Sequence, residues 1–319
     1  MGDFLLALPV LEGLYRSYPH IRMDFCLKPE HASLIRKRPY TGQIHPYDSP
    51  EFTPFYHEDL YKAAPVPSVF QGADVVFVFG QSAARLFAER LSERMTAAKV
   101  CWVRSFTQTD HSLHSLQPVS RFLVEQVRAH GWDIDYSFPR LEIDPDALNE
   151  ARTRLAGAGL REGIDPVLIH PGSGGRKKIW PLGRWWALIR WLRLDRGVPV
   201  LLSLGPADEH LRPFAQNAAH QFGIHILEAL SLTELAAFLA ISNLYIGSDS
   251  GVSHLAAATG IPSLVIFGPT APEIWAPQGP NVRIVRSHWD ESEVLAWSPA
   301  LPEAGPEARV QEAVAELLG

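Results

Sequence analysis

The chain has 319 residues, 46% hydrophobic and 20% charged, with a formal net charge of −6. That composition supports a sizeable core in one large or two medium domains, excludes disorder, and argues against nucleic acid as the main partner. Two cysteines, Cys26 and Cys101, support neither a disulfide framework nor a cysteine zinc site. Apolar runs such as Val75–Phe79 and Ser263–Phe267 are strand-sized and too short to cross a bilayer. Met1-Gly2-Asp3 leads into an apolar run without the basic segment of a secretory signal, so the expectation is a soluble cytoplasmic protein.

In chain order the patterning predicts a helix over 4–18, a strand over 22–27, then a proline-, tyrosine- and histidine-rich loop or irregular insertion over 39–67. Strands follow over 73–79 and 100–103, with helices over 82–95 and 117–130. The stretch 137–147 reads as an interdomain linker. Beyond it strands are predicted over 166–170, 199–204, 224–227, 244–247, 263–267 and 282–285, and helices over 182–194, 210–222, 232–240 and 252–259. Ser231-Leu232-Thr233-Glu234 fits a capping box, and Trp185, Leu188, Ile189 and Leu192 share one helical face. Alternating strands and helices imply parallel sheets covered on both faces, in two doubly wound domains joined near residue 145. Such a domain should open with a strand, whereas this chain opens at its first helix. The expected explanation is a missing first strand, with about six to ten residues of it encoded upstream of an internal methionine start.

Four loops carry candidate chemistry. His170-Pro171-Gly172-Ser173-Gly174-Gly175-Arg176-Lys177-Lys178-Ile179-Trp180-Pro181 lies between a strand and a helix, and offers close backbone approach and positive charge to an anion. A flexible surface turn with solvated lysines is its plainer reading. Gly247-Ser248-Asp249-Ser250-Gly251-Val252-Ser253-His254 lies at another such junction, with His254 in the first helical turn. Here the plainer reading makes Asp249 a helix cap and His254 a satisfied buried residue. Gly268-Pro269-Thr270 and Gly205-Pro206-Ala207-Asp208-Glu209 also follow strands, and Asp208 or Glu209 could bind ribose hydroxyls. All four gather at carboxyl ends of strands, where open α/β sheets bind ligands. Asp3 is the acid/base candidate, with helix capping as its ordinary role. Asp133-Ile134-Asp135 and Asp144-Pro145-Asp146 read as solvated turns, and no metal is expected.

These residues resemble the ADP-heptose–lipopolysaccharide heptosyltransferases, glycosyltransferase family nine. The resemblance rests on Gly2-Asp3-Phe4-Leu5-Leu6-Ala7-Leu8-Pro9, on His170-Pro171-Gly172 through Lys178-x-Trp180-Pro181, on Gly247-x-Asp249-Ser250-Gly251-x-x-His254-Leu255-Ala256-Ala257-Ala258, and on Phe267-Gly268-Pro269-Thr270. Four such blocks in order cover nearly the whole chain. The resemblance implies a GT-B fold: two Rossmann-like doubly wound domains facing across a cleft, with the first strand of the amino-terminal domain missing here. It implies an acceptor-side domain over 1–145, a nucleotide-sugar domain over 146–305, and a helix within 306–319 returning to the first domain. It further implies a metal-independent, inverting glycosyltransferase that moves a heptose or related sugar from an ADP-sugar to a lipid-linked saccharide acceptor. Asp3 would be the general base. Ser173, Gly174, Lys178, Asp208, Asp249, Ser250, Gly251, His254, Gly268 and Thr270 would bind the donor, with Glu209 an alternative to Asp208. No cofactor is implied, and weak peripheral contact with the inner membrane is. The segment 287–301 lacks the cysteine cluster of many relatives. The alternatives are another GT-B enzyme, such as a sugar-nucleotide epimerase, and a non-catalytic sugar-nucleotide binding protein.

Overall fold

The computed structural model describes residues 1–106, 117–160, 163, 165–299 and 306–319. The expected domain boundary at 305 and the last two residues of the segment 287–301 lie outside them. The elements run α1 (Gly2–Ser17), β1 (Met23–Leu27), α2 (Pro29–Ala32), β2 (Thr41–Pro46), β3 (Val75–Phe79), α3 (Ser82–Arg94), β4 (Lys99–Val103) and α4 (Val119–Ala129). Then come α5 (Pro145–Gly157), β5 (Val167–His170), α6 (Leu182–Arg190), β6 (Val200–Ser203), α7 (Arg212–Phe222), β7 (His225–Leu227) and α8 (Leu232–Ala240). The chain closes with β8 (Leu244–Ser248), α9 (Gly251–Thr259), β9 (Ser263–Phe267), α10 (Pro272–Trp275), β10 (Val282–Arg286) and α11 (Ala308–Leu318). They fall into two compact units. One comprises Leu6–Ser137; the other joins Phe138–Gly319 with Met1–Leu5, so the first turn of α1 clusters with the carboxyl-terminal half.

The carboxyl-terminal unit is built on one six-stranded parallel sheet in the order β10-β9-β8-β5-β6-β7. Strands β5, β6, β8 and β9 are buried along their whole length, as expected for a parallel sheet with helices on both faces. Alternate residues Val167, Ile169, Val200, Leu202, Ile246 and Ile266 form one core with Trp185, Trp186 and Leu188 of α6 and Phe214 of α7. The spacing of three and four in α6 is what turns its tryptophans and leucines onto the sheet. The helix expected over 182–194 leaves α-geometry at Trp191 and ends in a π-helical turn over Trp191–Asp195.

The chain lays β5, β6 and β7 outward in one direction, then returns to place β8 on the other side of β5. This reversal puts the topological switch point between β5 and β8, so the loops after these two strands diverge and leave a crevice at their carboxyl ends. That crevice is where the site lies.

In the amino-terminal unit the described strands form two separate parallel pairs, β1–β2 and β3–β4. Their residues are mostly half-buried, in contrast to the fully buried strands of the other sheet. The stretch 39–67 is more regular than its composition suggests. It contains β2, and a 3-10 helix over Pro50–Tyr56 whose Phe52 and Phe55 join Phe87 and Leu91 of α3 in an aromatic core. The Phe55 carbonyl also accepts a hydrogen bond from the Arg90 guanidinium at 3.0 Å.

Two further elements lie where the sequence expected the linker and the last helix. The stretch read as a linker contains the start of α5, because Asp144 caps that helix by accepting from the Asp146 N–H at 3.1 Å and Pro145 takes its first position. The unit boundary falls at Ser137–Phe138, and Leu141 already donates its N–H to the Ala258 carbonyl at 2.8 Å. The carboxyl-terminal helix α11 was expected to return to the first domain. It packs on β10 and sets Val310, Ala313 and Val314 into the core of the carboxyl-terminal unit, because these residues make its apolar stripe.

The capping box of α8 forms in both directions: Glu234 N–H donates to Ser231 Oγ at 3.2 Å and Ser231 N–H to Glu234 Oε2 at 2.7 Å. These bonds hold the Glu234 carboxyl below its usual range, so their stabilisation is present at neutral pH and lost as pH falls through the lowered value. Replacing Ser231 by Ala is expected to cost about 1 kcal/mol in urea unfolding at pH 7, and less at pH 4.

Candidate functional site

The buried Asp249 carboxylate organises the site. It sits in the turn after β8, where Ser250 and not Asp249 takes the N-cap position of α9, and the Ser250 side chain makes no capping bond. The carboxylate is thereby left to accept from side chains of two neighbouring loops. Lys178 Nζ lies 3.1 Å from Asp249 Oδ2, and Thr270 Oγ donates to the same oxygen at 2.7 Å. Ser173 Oγ donates to the Asp249 backbone carbonyl at 2.7 Å. Ser173, Lys178, Asp249 and Thr270 thus converge from the carboxyl ends of β5, β8 and β9, three adjacent strands. Asp249 is 5% exposed, while the Lys178 side chain keeps 36% of its surface open. A solvent-facing ammonium held by a buried carboxylate is a preset donor for an incoming anion.

A layer of buried polar groups supports this turn. Ser248 Oγ donates to the Pro171 carbonyl and accepts the Trp180 N–H, both at 3.2 Å, tying both ends of the Lys178 loop to β8. Ser253 Oγ donates to the Ser248 carbonyl at 2.6 Å and bonds the Tyr245 hydroxyl at 2.9 Å. Sequence reasoning quoted Ser248 and Ser253 within the motif without assigning them work. Their only signal was a cluster of small hydroxyl residues at a strand–helix junction.

The amino terminus of α1 packs against that of α9. A side chain at Gly251 would meet Met1 Cε at 3.0 Å and the Gly2 backbone N at 3.2 Å, so glycine allows an approach that a larger residue would push apart by a few tenths of an ångström. Asp3, exposed in the first turn of α1, is brought close enough for its charge to act on His254. Two helix amino termini, each carrying partial positive charge and unbonded amides, therefore meet where Asp3 and Asp249 supply negative charge. His254 is 8% exposed, and burial pushes its pKa down to about 4 against the upward pull of Asp249 and Asp3. At neutral pH it offers a neutral ring.

The remaining predicted residues are placed differently. Gly268 lies two positions before Thr270 and packs under the Trp289 ring. Gly174 faces open space on the Lys178 loop. Asp208 is turned inward: its Oδ2 accepts the Gly205 N–H at 2.8 Å and stands 3.7 Å from His170 Nε2, against the Cα of Gly172. His170 in turn bonds the Ser203 carbonyl through Nδ1 at 3.1 Å, and burial lowers its pKa despite the Asp208 charge. Glu209, the alternative, is on the surface with Arg212 at 2.8 Å. Of the two D-x-D triplets, Asp144 caps α5, while Asp135 pairs with Arg128 in solvent. Among the described residues no group of three or more His, Cys, Asp or Glu side chains is placed to hold a metal ion, and no helix is long and apolar enough to cross a membrane.

The lowered His254 pKa has a definite sign. Between pH 6.5 and about 4 only the unfolded chain binds this proton, so stability must fall as pH drops through that window. The expected loss is up to about 3 kcal/mol. His254→Gln, which cannot titrate, should flatten the fall in melting temperature between pH 7 and pH 4.5.

The chain is similar to several known proteins. An Escherichia coli lipopolysaccharide heptosyltransferase 3 is 25% identical over 307 residues, covering 88% of this chain and 84% of that protein. A Pseudomonas aeruginosa lipopolysaccharide heptosyltransferase 1 is 37% identical over 106 residues, 33% of this chain and 29% of that protein. Among solved structures, a glycosyl transferase family 9 protein from Veillonella parvula superposes with a TM-score of 0.74 at 18% identity, covering 99% of this chain and 94% of its own. The E. coli ADP-heptose lps heptosyltransferase II gives 0.70 at 18% identity, covering 99% and 95%. These likenesses show that the fold is GT-B. Residues 71–297 match glycosyltransferase family 9 (heptosyltransferase), and over that span of more than half its length, with the motif residues assembled at the switch point, the chain belongs to that glycosyltransferase family.

Proposed function

We propose that the chain transfers a heptose or related sugar from an ADP-sugar to a lipopolysaccharide-core-type acceptor, by an inverting displacement that needs no metal ion. The observation that carries this reading is the Lys178–Asp249–Thr270 cluster at the sheet's switch point, with Asp3 delivered beside it on a second helix amino terminus. The diphosphate of the donor would lie against α9, where backbone amides, the dipole and the Lys178 ammonium oppose its charge.

The Asp3 carboxylate takes the proton of an acceptor hydroxyl as that oxygen attacks the anomeric carbon. The bond from that carbon to the diphosphate oxygen breaks, and the electron pair leaves with ADP. Attack opposite the leaving group inverts the anomeric configuration. Negative charge grows on the departing diphosphate, where Lys178 and the α9 amides are already aimed and need no reorganisation. Neutral His254 contributes one ring N–H donor and one ring nitrogen acceptor rather than charge. A lipid-linked acceptor would bring the protein to the cytoplasmic face of the inner membrane through peripheral contact. The relatives named above support the donor and acceptor classes by their descriptions as ADP-heptose and lipopolysaccharide heptosyltransferases.

Thermal unfolding with ADP, UDP, GDP and dTDP, each with and without EDTA, tests the donor. ADP alone should stabilise the chain, by roughly 2.7 kcal/mol at a hundredfold excess over its dissociation constant, and EDTA should not alter this. Stabilisation by another nucleotide, or loss of the effect with EDTA, overturns the ADP or the metal-free part respectively. With ADP-heptose and a core saccharide, Asp3→Asn should lower turnover by about 10²–10⁴-fold while leaving ADP binding intact. Lys178→Ala should weaken both, with a loss in turnover of about 10²–10³-fold.

A further inference from the structure

Trp289 lies outside every helix and strand, just beyond β10, yet it touches two of the loops that build the site. Its indole N–H donates to the Lys177 carbonyl at 3.1 Å, one residue before the ammonium that reaches Asp249. Its ring covers Gly268, where a Cβ would stand 2.2 Å from Cη2 and 2.4 Å from Cζ2. Gly268 is two residues before Thr270, the second side chain on the same Asp249 oxygen. One side chain therefore spans the loop after β5 and the loop after β9.

The indole is itself firmly based. Two residues earlier, Ser287 is buried and accepts from Trp180 Nε1 at 3.3 Å and from the Arg184 guanidinium at 3.0 Å. The following residue, Asp290, donates its N–H to Glu293 at 3.1 Å, and Glu293 pairs with Arg184 at 3.1 Å. The Lys178 loop, for its part, is tied to β8 at both ends through Ser248. Between those ties its only regular element is a 3-10 turn of three residues, Arg176–Lys178, whose hydrogen-bond geometry is poorer than that of an α-helix. The flank of Trp289 also walls a cavity of about 440 Å³ that Pro269, His288, Asp290 and Glu293 help to line.

We propose that Trp289 is a positioning residue of the donor site: a clamp that sets the spacing of the Lys178 and Thr270 loops so that both side chains meet the Asp249 carboxylate. Its effect on nucleotide binding rests on the donor reading above; the clamp itself does not. By holding Lys178 before a ligand arrives, it lowers the ordering cost of binding.

Amide hydrogen exchange of the unliganded full chain tests the clamp, read at the Lys178 and Ile179 amides, which bond the Gly175 and Arg176 carbonyls. Trp289→Ala should speed their exchange about tenfold while β8 and β9 stay protected. Gly268→Ala should do the same from the other loop, because the new methyl displaces the indole from the Lys177 carbonyl. The double variant should match Trp289→Ala alone. The proposal is overturned if Gly268→Ala leaves these amides unchanged, if the two effects add in full, or if exchange rises uniformly through the sheet as a merely structural role requires. In ADP titrations Trp289→Ala should weaken binding about tenfold in the wild-type background and not at all beside Lys178→Ala. A full additional loss beside Lys178→Ala overturns the clamp's route through that lysine. A wild-type chain that takes up no ADP overturns the donor reading alone, and the exchange comparison still decides the clamp.

Discussion

A carboxylate taken out of water must be repaid by charge and hydrogen bonds, or it protonates or destabilises the fold. Asp249 meets that demand with the Lys178 ammonium and the Thr270 hydroxyl, and the rest of the site follows from where those partners originate. They come from loops after β5 and β9, with Asp249 itself after β8 between them. Only the order β9-β8-β5 lets one carboxylate reach both neighbours. The same order puts the sheet's reversal beside β5, which opens the crevice above these three strand ends. Sheet topology and site electrostatics are therefore one constraint seen at two scales.

Between the apolar core and that carboxylate lies a thin layer of buried polar groups: His170, Ser203, Tyr245, Ser248 and Ser253. Each is partnered, so the layer is rigid and costs little, whereas a half-satisfied one would be worse than an apolar core. Below it, tryptophans and aliphatic residues supply the hydrophobic stabilisation that marginal stability requires. Burial keeps the His254 ring neutral at neutral pH, so beside the two helix amino termini it offers hydrogen bonding while Lys178 carries positive charge.

The amino-terminal unit is organised otherwise. Its four described strands form two pairs, and much of its core is the aromatic cluster of Phe52, Phe55 and Phe87 between a 3-10 helix and α3. Reading 39–67 as a loop or irregular insertion missed β2 for a physical reason. Thr41–Pro46 is Thr-Gly-Gln-Ile-His-Pro, with one strongly β-forming apolar residue, and it is a strand because β1 offers it a parallel partner, with a register shift between Met23 and Phe25. Helix α5 was hidden similarly. Only Ala151 in it is buried, so no apolar stripe announces it, and Asp-Pro-Asp reads as a turn until a helix is seen to start there.

What the sequence determined by itself was everything governed by local chemistry. The apolar run Ser263–Phe267 and the capped helix Leu232–Ala240 stand at the residues their patterns predict, and the glycine- and serine-rich loops announced a ligand edge. Tertiary structure decided which of those loop residues meet. Asp208 and Asp249 looked equivalent as acidic residues after strands. One is folded inward onto the Gly205 amide beside His170, and the other is turned toward Lys178 and Thr270. That difference depends on which strands are neighbours and how closely Gly2 approaches Gly251. These are long-range packing relations, set by the burial of whole faces and encoded in no single window of residues.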